Sequence, residues 1–188
     1  MRIFVVSMLF MLGSIHLSAQ EESKTDWPLN ESGKVQFTEV VAMDGRTKDE
    51  LFTAAKNWFI IYFEDQKEDI YLNDRYEGKL AGQFNMFVEI DMYGKQANAG
   101  AIAYNMQLFV KEGKYKYNIT NIEHEANRSR LGTAGAIEND VPECGTRNMQ
   151  QRYWDDIKKQ AYSTFINMIG SLKEGMKKVD QPNPEDDW

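Results

Sequence analysis

Hydrophobic and polar residues alternate along much of the chain, and this pattern predicts a series of β-strands. The predicted strands cover about residues 33–43, 69–72, 79–91, 101–110 and 114–125. In the first strand the alternation slips by one residue at Glu39–Val40, which indicates a bulge or an end there. Short turns, including Glu112-Gly113, join the last four strands, and strands joined in this way pair antiparallel.

Two further segments have the period of a helix. Thr47 and Glu50 form a capping box, so the first helix is predicted from about Lys48 to Phe63. Its apolar stripe contains Leu51, Ala54, Ala55, Trp58, Phe59, Ile61 and Tyr62. The second helix begins near Gln151, and its stripe contains Trp154, Ile157, Ala161, Phe165, Met168, Leu172 and Met176.

The order of elements is therefore β-α-β-β-β-β-α, which predicts an α+β fold. We expect an antiparallel five-stranded sheet with two helices packed on one face, because both helices have an apolar stripe to bury. This domain is expected to span residues 33–178. A polar lead-in at 20–32 precedes it, with Trp27-Pro28-Leu29 as an anchor, and an acidic, proline-containing tail follows at 179–188.

The alternation also divides the sheet residues between two faces. The face that should bury the helices carries Phe84, Met86, Val88, Ile102, Tyr104, Met106, Leu108, Tyr115, Tyr117 and Ile119. Glu123 and Glu125 also fall on the side of the last strand that carries Tyr115 and Tyr117, where they are interpreted as a polar rim and not as an acid/base pair. The opposite face carries Asn85, Phe87, Glu89, Asn105, Gln107, Phe109, Lys116, Asn118 and Thr120. Its two phenylalanines among amides predict an uncovered platform that binds a protein or an envelope component.

The N-terminus has the order of a secretory signal peptide. Met1-Arg2 is followed by an apolar run from Ile3 to Leu12, and Leu17-Ser18-Ala19 supplies a small-residue cleavage site. Cleavage after Ala19 predicts an exported protein that is periplasmic or secreted. No cysteine directly follows the apolar run at the cleavage site, so we do not expect a lipid anchor. No later apolar run is long enough to span a membrane.

Charge and composition exclude several classes of function. The formal net charge of −7 opposes binding to nucleic acid, which depends on basic patches. Outside the signal peptide, His124 is the one histidine and Cys144 the one cysteine, too few for a zinc site within a single chain. No calcium-loop pattern or phosphate-binding glycine loop is present. We therefore expect no metal and no cofactor.

A catalytic alternative rests on the segment 127–148, which shows no period. A segment of that length without secondary structure is either a functional loop or disordered. A hydrolase could use Cys144, His124 or Glu143, although no complete catalytic pattern is present. A third possibility is association through an exposed strand edge, so the chain is predicted to be a monomer or a weak homo-oligomer.

Three stretches also carry a resemblance to a known family: VQFTEVVAMDGRTKDELFTAAKNWF, IYLNDRYEGKLAGQ and YNMQLFVKEGKYKYNITNI. Together they resemble a bacterial family of exported domains of unknown function with a TATA-binding-protein-like (TBP-like) fold. The resemblance rests on three features: a capped helix with a tryptophan near its end, Gly78 and Gly82 in the middle strand, and the hairpin Lys111–Tyr117. The resemblance implies the fold. It implies no catalytic residues, because the family has no established activity, and the fold name implies nothing about DNA.

Overall fold

The structure, a computed structural model, describes residues 26–178. The signal peptide and the acidic tail lie outside these residues. The helices are α1 (Lys48–Tyr62) and α2 (Gln151–Lys177), with a short 3-10 helix at Glu64–Asp69 after α1. The strands are β1 (Phe37–Ala42), β2 (Ile70–Asp74), β3 (Lys79–Asp91), β4 (Gln96–Lys111), β5 (Lys114–Glu125) and β6 (Gly135–Ala136). The predicted α+β fold and the five predicted strands are confirmed, and β6 is an addition.

The capping box defines the start of α1. The Oγ1 of Thr47 accepts from the backbone N–H of Glu50, and the Glu50 carboxylate accepts from the backbone N–H of Thr47. Six side chains of α1 are buried: Leu51, Phe52, Ala54, Ala55, Trp58 and Phe59. Ile61 was expected in this stripe, but it is 75% exposed because it lies on the side of the helix away from the sheet.

All five main strands pair antiparallel in the order β1-β5-β4-β3-β2, and β6 pairs with β5. The register of β1 on β5 is continuous from Phe37 opposite Ile119 to Ala42 opposite Lys114. The bulge expected at Glu39–Val40 is therefore wrong. The alternation is regular, with Glu39 on the helix side of the sheet and Val40, 60% exposed, on the other.

The hydrophobic core lies between the two helices and one face of the sheet. Phe84 of β3 is fully buried, and its ring stacks on Phe63 with centroids 3.6 Å apart. Phe165 of α2 packs edge-on against Tyr104 of β4 at 5.0 Å. The lead-in is attached to the same core, because Trp27 packs against Phe37 of β1 and Tyr162 of α2.

A bulge in β5 changes the faces of its last residues. Opposite β4, the register shifts between Ala103 and Asn105, and Asn121 of β5 has a positive φ of 53°. The additional residue reverses the alternation beyond that point. Glu123 and Glu125 therefore lie on the face away from the helices, which corrects the expectation that they share the side of Tyr115 and Tyr117. His124 points into the core instead.

The segment 127–148 is ordered although its sequence has no period. Ala134, Ile137 and the adjoining Met149 are buried in the main core. Backbone N–H groups of Glu143 and Cys144 donate to the carbonyls of Ala134 and Thr133, so the segment folds back on itself. Trp154 of α2, fully buried, donates through Nε1 to the carbonyl of Asn139 at 2.8 Å.

The outer edge of β3 is open beyond the four residues that β2 covers, Lys79–Gly82. Two glutamine side chains bond to this edge. The side chain of Gln66 donates to the carbonyl of Asn85 at 3.0 Å and accepts from its N–H at 2.7 Å. The Oε1 of Gln160 accepts from the N–H of Glu89 at 3.2 Å. Such contacts discourage the addition of another strand.

Candidate functional site

The eight residues predicted as a binding surface all lie on the sheet face away from the helices, which we call the open face. Their partners across the strands place them there, because directly opposed residues in an antiparallel sheet share a face. Phe87, Glu89 and Lys116 are exposed or nearly so, and Phe87 has 69% of its surface accessible. The others are half-buried: Asn85, Asn105, Gln107, Phe109 and Asn118.

The two phenylalanines do not form one platform. Phe87 lies on β3 opposite Ala101 of β4. Phe109 lies further along β4, opposite Lys79 of β3. Eight residues of β4 separate the two positions, or about 26 Å at about 3.3 Å per residue. The open face therefore has two separate aromatic positions, one near each end.

Amide side chains occupy the middle of the open face. The Nδ2 of Asn118 donates to the Oε1 of Gln107 at 3.2 Å, across β5 and β4. The Nε2 of Gln36 donates to the Oδ1 of Asn118 at 2.5 Å. Asn105 lies opposite Gln83 on β3 and Thr120 on β5, in the central row. This surface offers hydrogen-bond donors and acceptors between the two rings.

Opposite charges predominate at the two ends of the open face. One end, the lysine end, carries Lys79, Lys111, Lys114 and Lys116 around Phe109. Two acids also lie there: Asp74 is opposite Lys79, and Glu77 forms an ion pair with Lys79 at 3.4 Å. The other end, the glutamate end, carries Glu89, Glu123 and Glu125 around Phe87. Glu123 and Glu125 were missed as members of this face because the slip in the apolar alternation between Ile119 and Ile122, with polar Asn121 between them, was not interpreted as a bulge.

Three alanines also lie on the open face and were not singled out from the sequence. Ala101 is opposite Phe87 and Glu125, and Ala103 is opposite Asn85 and Glu123. Ala81 lies on β3 near the lysine end. All three are buried, with exposures of 1% for Ala101, 9% for Ala103 and 1% for Ala81.

The histidine of the alternative hydrolase site is bound to the backbone on both sides. One ring nitrogen, Nε2, is 2.7 Å from the carbonyl of Ala99, and Nδ1 accepts from the N–H of Ala134 at 3.1 Å. The ring is fully buried, and this burial lowers the pKa of His124 below its usual value. Neither nitrogen is available to activate a thiol or a water molecule, so the geometry assigns His124 a role in holding β4, β5 and the loop together.

The other two loop candidates also have structural contacts. Cys144 is partly exposed and packs against Gly132. A Cβ added at Gly132 would lie only 2.5 Å from the Cβ of Cys144. The carboxylate of Glu143 lies over Gly135 and accepts from the Nδ2 of Asn139 at 3.0 Å. Gly135 has a positive φ of 74°, and a Cβ there would overlap the Glu143 carboxyl group. Packing in this loop therefore accounts for both side chains.

A groove of ≈ 340 Å³ runs between the outer sides of α1 and α2. It is lined by Ala54, Asn57, Trp58, Ile61, Tyr62, Ser171, Glu174, Gly175 and Lys178. The indole N–H of Trp58 donates to Ser171 at 3.1 Å, which fixes the ring in the groove.

Within residues 26–178 we find no group of three or more histidine, cysteine or acidic side chains placed to hold a metal ion. Over the same residues, no helix is long and apolar enough to cross a membrane.

An antiparallel sheet with both helices on one face, in the chain order β-α-β-β-β-β-α, defines an α+β protein of the TBP-like class. The family model described as a domain of unknown function (DUF4468) with TBP-like fold matches residues 37–125 of the chain. This match confirms the resemblance found in the sequence.

Solved structures agree with this assignment at the level of the fold. A DUF4468 family protein from Bacteroides ovatus aligns with a TM-score of 0.55 at 14% identity, covering 83% of this chain and 94% of its own. A TBP-like protein from Parabacteroides distasonis aligns with a TM-score of 0.52 at 15% identity, covering 78% of this chain and 97% of its own. No curated protein matches the chain.

Proposed function

We propose that this protein is an exported, noncatalytic module of the cell envelope that binds a protein or another envelope component on its open face. The observation that carries the proposal is the exposure of Phe87, at 69%, on a face that neither helix covers. Burial of a phenylalanine side chain is worth about 1.5–3 kcal/mol. An exposed ring at a fixed position on a strand is therefore an anchor that a partner can bury.

The composition of the open face favours a macromolecular partner over a small ligand. Aromatic anchors surrounded by polar groups are typical of protein interfaces. Phe87 and Phe109 are about 26 Å apart, at about 3.3 Å per residue. A partner that contacts both must be flat or extended, and the amides between them supply directional hydrogen bonds. The net charge of −7 argues against nucleic acid in this role.

The noncatalytic part of the proposal is supported by the contacts of His124, whose two nitrogens both face backbone groups. Export is supported by the positive, apolar and small-residue segments that precede Gln20. Mass spectrometry of the protein from the envelope or medium is expected to find a chain that begins at Gln20. A chain that still begins at Met1 contradicts export by cleavage.

A photo-crosslinking amino acid tests the binding surface in the native cell. We expect Phe87 replaced by p-benzoylphenylalanine to form a discrete adduct. The same replacement at Ile166, 46% exposed on α2, is the matched control and is expected to form none. Phe109→Ser in the Phe87 crosslinking chain is expected to lower the adduct yield while leaving the unfolding midpoint near that of the parent. Equal adducts from both positions, or none from Phe87, would show that the open face is ordinary solvated surface.

A further inference from the structure

We propose that the partner bound by the open face is a second copy of this chain, and this step rests on the proposed function above. The two copies dock face to face across a two-fold axis that lies parallel to the sheet and perpendicular to its strands. The lysine end of each copy then lies over the glutamate end of the other. The observation that supports this is the excess of lysines at one end of the face and of glutamates at the other, with Lys116 at one end of β5 and Glu125 at the other.

Charge selects this axis over the other simple one. A two-fold axis parallel to the strands superposes each end on itself, so the lysines around Phe109 would face the same lysines. An axis perpendicular to the strands reverses the strand direction and brings opposite charges together. Since like charges in an interface are strongly unfavourable, only the second arrangement is compatible with this face. Arg128 and Arg130 lie in the loop after β5 and flank Ser129, whose hydroxyl donates to the carbonyl of Asn98 at 2.9 Å, so this loop borders the glutamate end.

The register supports the same arrangement residue by residue. If the axis passes over Asn105, each residue of β4 in one copy lies over the residue of the other copy that is equally far from Asn105 in the opposite direction. Phe109 of one copy, four residues after Asn105, therefore lies over Ala101 of the other, four residues before it. On β5 the same operation places Lys116 over Glu125. Because Phe87 is directly opposite Ala101, the incoming Phe109 would lie beside Phe87, and the two rings that are far apart in one copy meet between copies. Aromatic pairs of this kind add to the burial of area.

A two-fold operation repeats each contact, which makes the interface self-complementary. Gln107 of one copy lies over Ala103 of the other, on both sides of the axis. Stacked sheets pack about 10 Å apart with their strands aligned to within about 30°. That spacing accommodates one layer of side chains from each copy.

The dimensions of the face predict a weak dimer. The rows from Phe109 to Ala101 are about 26 Å long, and four strands about 4.8 Å apart are about 19 Å wide. The contact is about 500 Å² per copy and about 1,000 Å² in total, the lower limit for a specific interface. The dimer should therefore form at high local concentration, as in a confined envelope compartment, and dissociate on dilution.

Charge reversal at two positions tests the arrangement by sedimentation velocity from about 10 µM to about 1 mM, the range for a weak interface. The wild-type chain is expected to shift from monomer to dimer. K116E and E125K are each expected to weaken self-association about thirtyfold, because both symmetric pairs become repulsive. An equimolar mixture of the two variants is expected to restore dimers, since both cross-copy pairs become attractive. K159E on α2 makes the same charge change away from the open face and is expected to dimerise like the wild type.

The outcomes separate this inference from the proposed function. Dimers in the mixture but not in either variant alone support face-to-face docking, and association through strand edges cannot produce that pattern. A wild-type chain that stays monomeric, or variants that associate like the wild type, overturns the inference. If the Phe87 crosslinker then yields an adduct with a different protein, the proposed function stands with another partner. If it yields no adduct, both proposals fail.

Discussion

Gly82 gives a quantitative test of how tightly β3 packs against the core. Its φ lies outside the left-handed region, so an alanine there has no backbone strain. A Cβ at this position would lie 2.6 Å from Cε2 of Phe84 and closer still to Cζ. The Phe84 ring is fully buried and stacked on Phe63 with the planes 5° apart, so it cannot move aside freely.

Overpacking of this kind costs about 1–3 kcal/mol, and removal of a glycine from the unfolded chain returns about 0.4–1 kcal/mol. We therefore expect Gly82→Ala to lower the free energy of unfolding by about 1–2 kcal/mol. Urea titration followed by tryptophan fluorescence measures this, since Trp154 is buried in the same core. Gly170→Ala is the control, because Gly170 lies in α2 and a Cβ there would have nothing within 4 Å. We expect this control substitution to stabilise the protein by about 0.5–1 kcal/mol.

A double-mutant cycle identifies the clash as the cause. Phe84→Leu removes the ring atoms that the new methyl group meets, so the double variant should be less destabilised than the sum of the single variants. The expected coupling is about 0.5–3 kcal/mol. If Gly82→Ala is as stable as the wild type, or if the two costs add, the packing argument is wrong.

Three further predictions concern the cap, the bulge and the buried histidine. Thr47→Ala is expected to lower the free energy of unfolding by about 1 kcal/mol, because the N–H of Glu50 loses its acceptor; urea titration against Thr53→Ala, which leaves the cap intact, measures this. Asn121→Gly should be nearly neutral and Asn121→Val should cost about 1–2 kcal/mol, because only the former suits a φ of 53°; equal midpoints for the two contradict the bulge. Burial lowers the folded-state pKa of His124, so the unfolded chain binds the proton more readily, and stability should be full above about pH 6.5 and fall as the pH drops below it. Unfolding free energies that are the same at about pH 7.5 and about pH 5.5 would show that the ring does not stay neutral in the fold.

The main elements could be predicted from the sequence because each has its own local signal. The capping box set the start of α1, and strict alternation set β3, the part of β4 from Ala101 onward and most of β5, whereas β4 begins five residues earlier, at Gln96. The faces of these strands followed from the same alternation. The family match confirms the fold, while the choice of the open face as a binding surface stays a prediction.

The errors arose where the structure depends on contacts distant in sequence. The bulge at Asn121 depends on how β5 pairs with β4, and it exchanged the faces of Glu123 and His124. The order of the segment 127–148 depends on partners elsewhere, such as the His124 ring that binds Ala134. The two phenylalanines lay on the predicted face, but their separation along the strands required the register, which alternation alone does not supply.

The glutamine side chains at the edge of β3 also restrict how the molecule can grow. Gln66 occupies the main-chain groups of Asn85, and Gln160 occupies one of Glu89, so an incoming extended peptide meets amides already in its place. Continuous strand-by-strand polymerisation, the route to fibres, is blocked at that border. Crowding many copies in a small volume should therefore not produce ribbons that extend from this edge of the sheet.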